Sequence, residues 1–146
     1  MKRLTAIFAA LLLSLSAMAQ NDKLVQFGVD ASVDCFLSPQ NPAFSGGLGA
    51  RARVGRIDQW VNFVGGLRYI YGPRLSGFQV PLMVNANLLK GGSVSGYLGA
   101  GYEFDFIGTY YGCMKFQAGA AWRHFDVRLF YKPYQGDLGA GFTYYF

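Results

Sequence analysis

Residues 137–146 read D-L-G-A-G-F-T-Y-Y-F, with an apolar side chain at every second position. This two-residue period is typical of a β-strand with one apolar face and one small or polar face. A flat apolar strand at an open sheet edge promotes aggregation, so this strand needs a partner on each side. We therefore expect its sheet to close on itself. The apolar positions are Leu138, Ala140, Phe142, Tyr144 and Phe146.

The same alternation recurs in seven earlier segments, and none shows a sustained helical period. The segments are about nine to twelve residues long, the length that a tilted transmembrane strand needs. The sequence therefore predicts an all-β chain, an eight-stranded antiparallel up-and-down transmembrane β-barrel. Pro81 lies inside the fourth segment, where its missing N–H predicts a bulge or another irregularity. The earlier strands are predicted at 25–34, 47–55, 60–71, 77–89, 93–104, 114–123 and 125–132.

The predicted connections differ in length. Longer loops are expected at 35–46 and 105–112, and shorter turns at 56–59, 90–92 and 123–124. Long outer loops and short periplasmic turns are typical of outer-membrane barrels. The aromatic side chains of the longer loops are candidates for contact with lipid, a ligand or another protein. These candidates are Phe36, Phe44, Phe106, Tyr110 and Tyr111.

The two faces of the predicted strands differ in chemistry. The apolar faces carry no charged residue, whereas the opposite faces mix glycine with long ionic side chains. Only 14% of the chain is charged, below the roughly 25% of soluble domains. An apolar exterior in lipid and a polar interior account for this pattern, and the interior ions must pair. The predicted ionic plug comprises Asp30, Asp34, Arg51, Arg53, Arg68, Glu103, Lys115, Arg123, Asp126, Arg128 and Asp137.

A soluble, lipocalin-like barrel that binds a ligand is the alternative arrangement, with the apolar face turned inward. Aromatic residues near the predicted strand ends favour the membrane arrangement, since their rings suit the two membrane interfaces.

Residues 1–19 are predicted to be a secretory signal peptide, and residues 20–146 the barrel domain. Lys2 and Arg3 precede a short apolar run, and Ala17-Met18-Ala19 forms a small-x-small cleavage site. Removing two of the 13 basic residues leaves 11 against 8 acids, a net charge of +3. So small a basic excess gives little reason to expect nucleic-acid binding.

The residues that usually carry catalysis or metal binding are few. His124 is the only histidine, and Cys35 and Cys113 are the only cysteines. There is no Cys-x-x-Cys spacing, and no serine lies beside His124 in the sequence. We therefore predict no catalytic site, no cofactor and no metal. An outer-membrane enzyme that modifies lipid is the alternative function, and a disulfide between the two cysteines stays open.

The Q-V-P-L-M-V-N-A-N-L stretch at 79–88, the G-Y-L-G-A-G-Y-E-F stretch at 96–104 and the final Phe146 resemble the small outer-membrane barrels related to OmpX and the OmpA barrel, including the porin-like barrels of Bacteroidetes. The resemblance implies a monomer in the outer membrane of a Gram-negative bacterium, in contact with lipid and lipopolysaccharide. It also implies that Phe142, Tyr144 and Phe146 form the signal read by the barrel-assembly machinery. The expected role is structural or a surface interaction through the outer loops, without an open pore.

Overall fold

A computed structural model describes residues 24–37, 42–73, 76–91, 94–107 and 109–146. Eight antiparallel strands pair in chain order, and β1 also pairs with β8, so the sheet forms a closed barrel. This confirms the predicted all-β, up-and-down barrel. The described residues include no helix long and apolar enough to cross a membrane. The strands are β1 (Val25–Phe36), β2 (Ala43–Val54), β3 (Val61–Tyr71), β4 (Ser76–Gly91), β5 (Val94–Ile107), β6 (Thr109–Trp122), β7 (Phe125–Lys132) and β8 (Asp137–Tyr145).

The two ends of the barrel are distinct. The termini end is the end where β1 begins and β8 finishes, and there the Phe146 N–H donates to the Phe27 carbonyl at 2.9 Å. The far end carries the connections between β1 and β2, β3 and β4, β5 and β6, and β7 and β8. The predicted signal peptide lies outside the described residues.

The bounds predicted for the two longer loops are wrong, because strands extend into both of them. Within 35–46, β1 runs on to Phe36 and β2 begins at Ala43, and these two residues pair. Within 105–112, β5 and β6 continue as a hairpin to the pair Ile107 and Thr109. Backbone pairing continues through residues that also favour turns, so ladder pairing prevails over local turn preference.

The path of β4 departs from a regular ladder at two places. Pairing with β3 skips Val80 and Pro81 and resumes in the same register, which matches the irregularity expected at the proline. The register shift itself lies elsewhere, between Asn87 and Leu89 against β5. Leu88 and Leu89 are both exposed as a result.

The barrel has an apolar exterior and a polar interior. Along β7, exposed and buried residues alternate without exception. The exposed set is Phe125, Val127, Leu129 and Tyr131, and the buried set is Asp126, Arg128, Phe130 and Lys132. A soluble barrel buries its apolar face, so these faces are inverted relative to that architecture.

Candidate functional site

The polar barrel interior is the most unusual chemical environment of the molecule. Six acidic and six basic side chains of the described residues are buried there, so their formal charges cancel. Buried ions are tolerated only when they are paired or hydrogen-bonded. The acids are Asp30, Asp34, Glu103, Asp105, Asp126 and Asp137, and the bases are Arg51, Arg53, Arg68, Lys115, Arg128 and Lys132.

Glu103 lies at the centre of a far network on the far-end side of the interior. Its carboxylate contacts Arg68 at 3.0 Å, Lys115 at 2.6 Å and Lys132 at 2.7 Å. Lys132 also pairs with Asp34 at 3.0 Å and Asp137 at 3.7 Å, and Arg68 pairs with Asp34 at 3.3 Å. The far network therefore comprises Asp34, Arg68, Glu103, Lys115, Lys132 and Asp137.

A second, near network lies toward the termini end. Asp30 pairs with Arg128 at 2.6 Å and Arg51 at 3.7 Å, and it accepts a hydrogen bond from the Thr143 hydroxyl at 2.6 Å. Arg128 also lies 3.5 Å from Asp126, which accepts a hydrogen bond from Tyr97 at 2.9 Å. The near network therefore comprises Asp30, Arg51, Asp126 and Arg128.

Within the described part of the chain, no ion pair joins the two networks. On β7 the inward side chain between Arg128 and Lys132 is Phe130, which is 1% exposed. The Phe130 ring centroid lies 4.0 Å from Lys115 Nζ and 5.3 Å from Arg68 Cζ. The ring thus contacts cations of the far network through its π face.

Two buried charges lack an ion-pair partner among the described residues, and amide side chains bind both of them. Arg53 donates to the Gln26 amide oxygen through Nε and Nη2. Asp105 accepts from Gln79 at 2.5 Å and from Gln135 at 2.8 Å. Arg53 belongs to the termini end and Asp105 to the far end, so each end of the interior holds one buried charge solvated by amides.

A row of amides crosses the interior beside the near network. Gln117 donates to Asn85 at 2.6 Å, Asn85 to Asn62 at 3.0 Å and Asn62 to Asn87 at 3.2 Å. Arg51 joins this row by donating to Gln117 at 3.4 Å. The predicted plug contains only ionic residues, so these amides are absent from it. They nevertheless lie on the same inward face of their strands as the charged residues.

Ten of the eleven ionic residues predicted for the interior are buried. Arg123 is the exception and a correction: β6 ends at Trp122, so Arg123 lies exposed in the turn that follows. Its backbone carbonyl, rather than its guanidinium, contributes to the interior by accepting from Gln26 at 3.3 Å. Lys132, which the strand alternation also turns inward, and Asp105, which does not lie on a predicted strand, are interior residues outside the predicted plug.

The residues predicted to contact partners through outer loops lie on strands instead. Phe36 belongs to β1, Phe44 to β2 and Phe106 to β5, and the latter two are exposed. Tyr110 and Tyr111 belong to β6, and their side chains lie outside the described part. The predicted assembly signal lies where β8 closes the barrel: Phe142 and Tyr144 are exposed, and Phe146 packs edge-to-face on Tyr144 at 5.7 Å.

His124 packs against the end of β8, and neither cysteine forms a disulfide bond. His124 Nδ1 lies 3.0 Å from the Tyr145 carbonyl oxygen, and its ring stacks on Tyr144. Cys35 and Cys113 are both free thiols. Among the described residues, no group of three or more His, Cys, Asp or Glu side chains is placed to hold a metal ion.

Comparison with known proteins gives a likeness in structure only. No family model and no curated protein sequence matches the chain. The crystal structure of Neisserial surface protein A is 13% identical and superposes with a TM-score of 0.59, covering 84% of this chain and 97% of that one. The N-terminal β-barrel domain of Pseudomonas aeruginosa OprF is 15% identical, with a TM-score of 0.52 over 83% of this chain and 97% of that one.

A de novo designed transmembrane β-barrel is also similar, at 14% identity and a TM-score of 0.50, covering 82% of this chain and 95% of that one. The chain therefore has the fold of small eight-stranded transmembrane barrels. The resemblance to small outer-membrane barrels predicted from the sequence is confirmed at the level of this fold.

Proposed function

We propose that this protein is a small outer-membrane barrel of a Gram-negative bacterium, exported by a cleaved signal peptide, whose packed interior is closed to ions. Its role is structural or a contact made at the cell surface, without catalysis. The observation that carries the proposal is the inversion of the two faces: ionic side chains are buried, and large apolar side chains are exposed.

The exterior supports a membrane location. Exposed aliphatic side chains such as Val84, Leu98 and Val127 lie within β4, β5 and β7 rather than at the strand ends. Aromatic side chains gather near both ends, as expected for rings at the two membrane interfaces. They include Trp60, Trp122, Phe125 and Tyr144 near the termini end, and Phe44, Tyr71, Phe78, Phe106 and Tyr131 near the far end.

The interior supports closure. An eight-stranded barrel is just wide enough for its own side chains to fill. Arg53, Arg68, Phe130 and Lys132 are among the largest fully buried side chains. These long side chains are held in place by ion pairs and ring contacts, and they would block the path of an ion through the barrel.

The far end is the surface that we propose for contacts outside the cell, since β1 begins and β8 ends at the other end. Phe44, Tyr71 and Tyr134 are 65%, 74% and 90% exposed there. Rings of this kind suit lipopolysaccharide or a neighbouring protein. We also propose that the barrel-assembly machinery recognises the outward side chains of β8.

An Arg substitution on the outer face of the barrel tests the membrane location. Leu98 is 54% exposed on β5, and Leu98→Arg places a charge in hydrocarbon at a cost of about 2 to 4 kcal/mol. We expect less folded protein in lipid vesicles, measured by heat-modifiable gel mobility, and a lower free energy of unfolding in urea.

Two matched variants complete this experiment. Leu98→Ala removes the same side chain without adding charge, and Tyr134→Arg adds the charge in an exposed turn. Both should insert far better than Leu98→Arg. If Leu98→Arg instead folds in water without lipid or detergent, the exterior is a solvent-facing surface and the membrane proposal fails.

A further inference from the structure

Several buried side chains toward the termini end have a polar atom without a hydrogen-bond partner among the described residues. Two of these atoms are Arg128 Nε and Ser95 Oγ, and three others are Arg51 Nε, Arg53 Nη1 and the Tyr145 hydroxyl oxygen. The last three residues are 4%, 1% and 0% exposed. Unpaired buried donors are destabilising, so native interiors satisfy them with protein, water or an ion.

Arg51 and Tyr145 flank the same inward position. Gly28 on β1 pairs with Arg51 on β2 and with Tyr145 on β8, so it lies between them in one inward row. Gly28 has no side chain, and a Cβ there would lie nearest to the backbone carbonyl of Tyr144, so the wall of the barrel is closely packed at this position. Tyr145 leans over this position, since a Cβ at Gly28 would lie 3.0 Å from Tyr145 Cδ1.

Arg53 brings a second guanidinium to this region. It lies one inward position beyond Arg51 on β2, and its Cζ is 4.2 Å from the centroid of the Tyr145 ring. Gln26 occupies Nε and Nη2 of Arg53, which leaves Nη1 unpaired. Two guanidinium groups and one phenol thus present unused donors around Gly28.

The charges in this region do not balance. Arg51, Arg53 and Arg128 face only two described acids, Asp30 and Asp126, an excess of one positive charge. Both acids are already bound by Arg128 and by the hydroxyls of Thr143 and Tyr97. Water would satisfy the donors without neutralising the excess charge, whereas an anion would do both.

We propose that Arg51, Arg53 and Tyr145 bind one small inorganic anion of the halide class, such as chloride, near Gly28. A monovalent ion matches the excess of one charge, and complete burial of the donors limits the ligand to a small ion. The anion accepts hydrogen bonds from both guanidiniums and from the phenol. This inference does not depend on the membrane location or on closure to ions.

Chloride binding to the purified, folded protein in detergent micelles tests the proposal through the line width of the chlorine NMR signal. Ionic strength is held constant with sodium gluconate, whose anion is too large for the site. We expect excess line broadening that added bromide removes by competition. Arg53→Gln and Tyr145→Phe should each weaken binding by about tenfold, the effect of losing one charge-assisted hydrogen bond.

The matched control is Arg56→Gln, which removes one positive charge at the same end of the barrel but from an exposed ion pair with Asp58. It should broaden the chlorine signal as the wild type does. Wild-type line width no greater than that of Arg53→Gln overturns the site, as does an equal loss in Arg56→Gln. If Arg53→Gln does not fold, Tyr145→Phe decides, since it removes only a hydroxyl group.

Discussion

At Glu103, one buried carboxylate contacts three buried cations. Glu103 and Lys132 are both 0% exposed, and Lys115 and Arg68 are 2% exposed. Such clusters contribute little net stability compared with an apolar core, but removing one partner strands the others. The far network therefore depends most strongly on the residue that all three cations share.

Glu103→Gln should destabilise the barrel by about 3 to 5 kcal/mol, because buried Lys115 loses its one ion-pair partner among the described residues, and Arg68 and Lys132 each lose one of theirs. The change preserves side-chain size, so packing is not the cause. The free energy of unfolding in urea, followed by the fluorescence of Trp60 and Trp122 in lipid vesicles, measures the loss.

Asp58→Asn is the control for this prediction. Asp58 pairs with Arg56 at 2.8 Å in an exposed turn, where an ion pair contributes about 0 to 1 kcal/mol. A loss for Glu103→Gln as small as that for Asp58→Asn would mean that the interior is hydrated and that water replaces the lost partner.

Strand parity identifies which residues face inward, but it does not show where a strand ends. Asp30, Arg51 and Arg68 lie inside because alternation fixes their face. Arg123 has the same parity as Lys115, yet the chain turns before its side chain can enter the barrel. Asp105 shows the opposite error, since the sequence predicts a loop there whereas the residue is buried on β5.

The hairpin of β5 and β6 explains why the predicted loop at Asp105 is wrong. Asp105, Gly108 and Gly112 are residue types that favour turns, yet pairs continue from Phe104 and Gly112 to Ile107 and Thr109. Cross-strand partners are distant in sequence and cannot be inferred from local composition. The register of the strands, and with it the two separate networks and the residues around Gly28, was therefore beyond prediction from the sequence.

The register of the closing seam, the pairing of β1 with β8, can be tested with the native thiol of Cys35. Cys35 pairs with Leu138, and directly opposed residues lie about 4.5 to 5.5 Å apart, within disulfide range. Leu138→Cys in a Cys113→Ser background should form a disulfide on oxidation of the folded protein. Its formation is measured by gel mobility with and without reductant.

Ala140→Cys provides the register control for the seam. It lies on the same outward face two residues further along β8, opposite Val33. A diagonal pair is about 7 to 8 Å apart, so it should cross-link poorly with Cys35. More efficient cross-linking from Ala140→Cys than from Leu138→Cys would show that β8 pairs two residues out of the described register.

The alternation of apolar and polar residues along each strand suits two environments, one outside the barrel and one inside it. The outward residues of each strand meet lipid in the proposed arrangement, and the inward residues replace water with ion pairs and amides. The low charged fraction of the chain follows from this division, since its buried ions are confined to the barrel interior. Closure of the sheet is what permits both, because it removes the exposed strand edges.

Ion conduction across the barrel tests the proposed closure of the interior. In planar lipid bilayers the wild-type protein should give no resolved current steps, because buried side chains fill an eight-stranded barrel. Phe130→Ala removes the large inward side chain between Arg128 and Lys132, and it should introduce small current steps. Phe125→Ala makes the same change on the outward face of the same strand, where the side chain is 44% exposed, and should stay silent. Wild-type steps as large as those of Phe130→Ala would show that water and ions already cross the interior, and the proposed closure would be wrong.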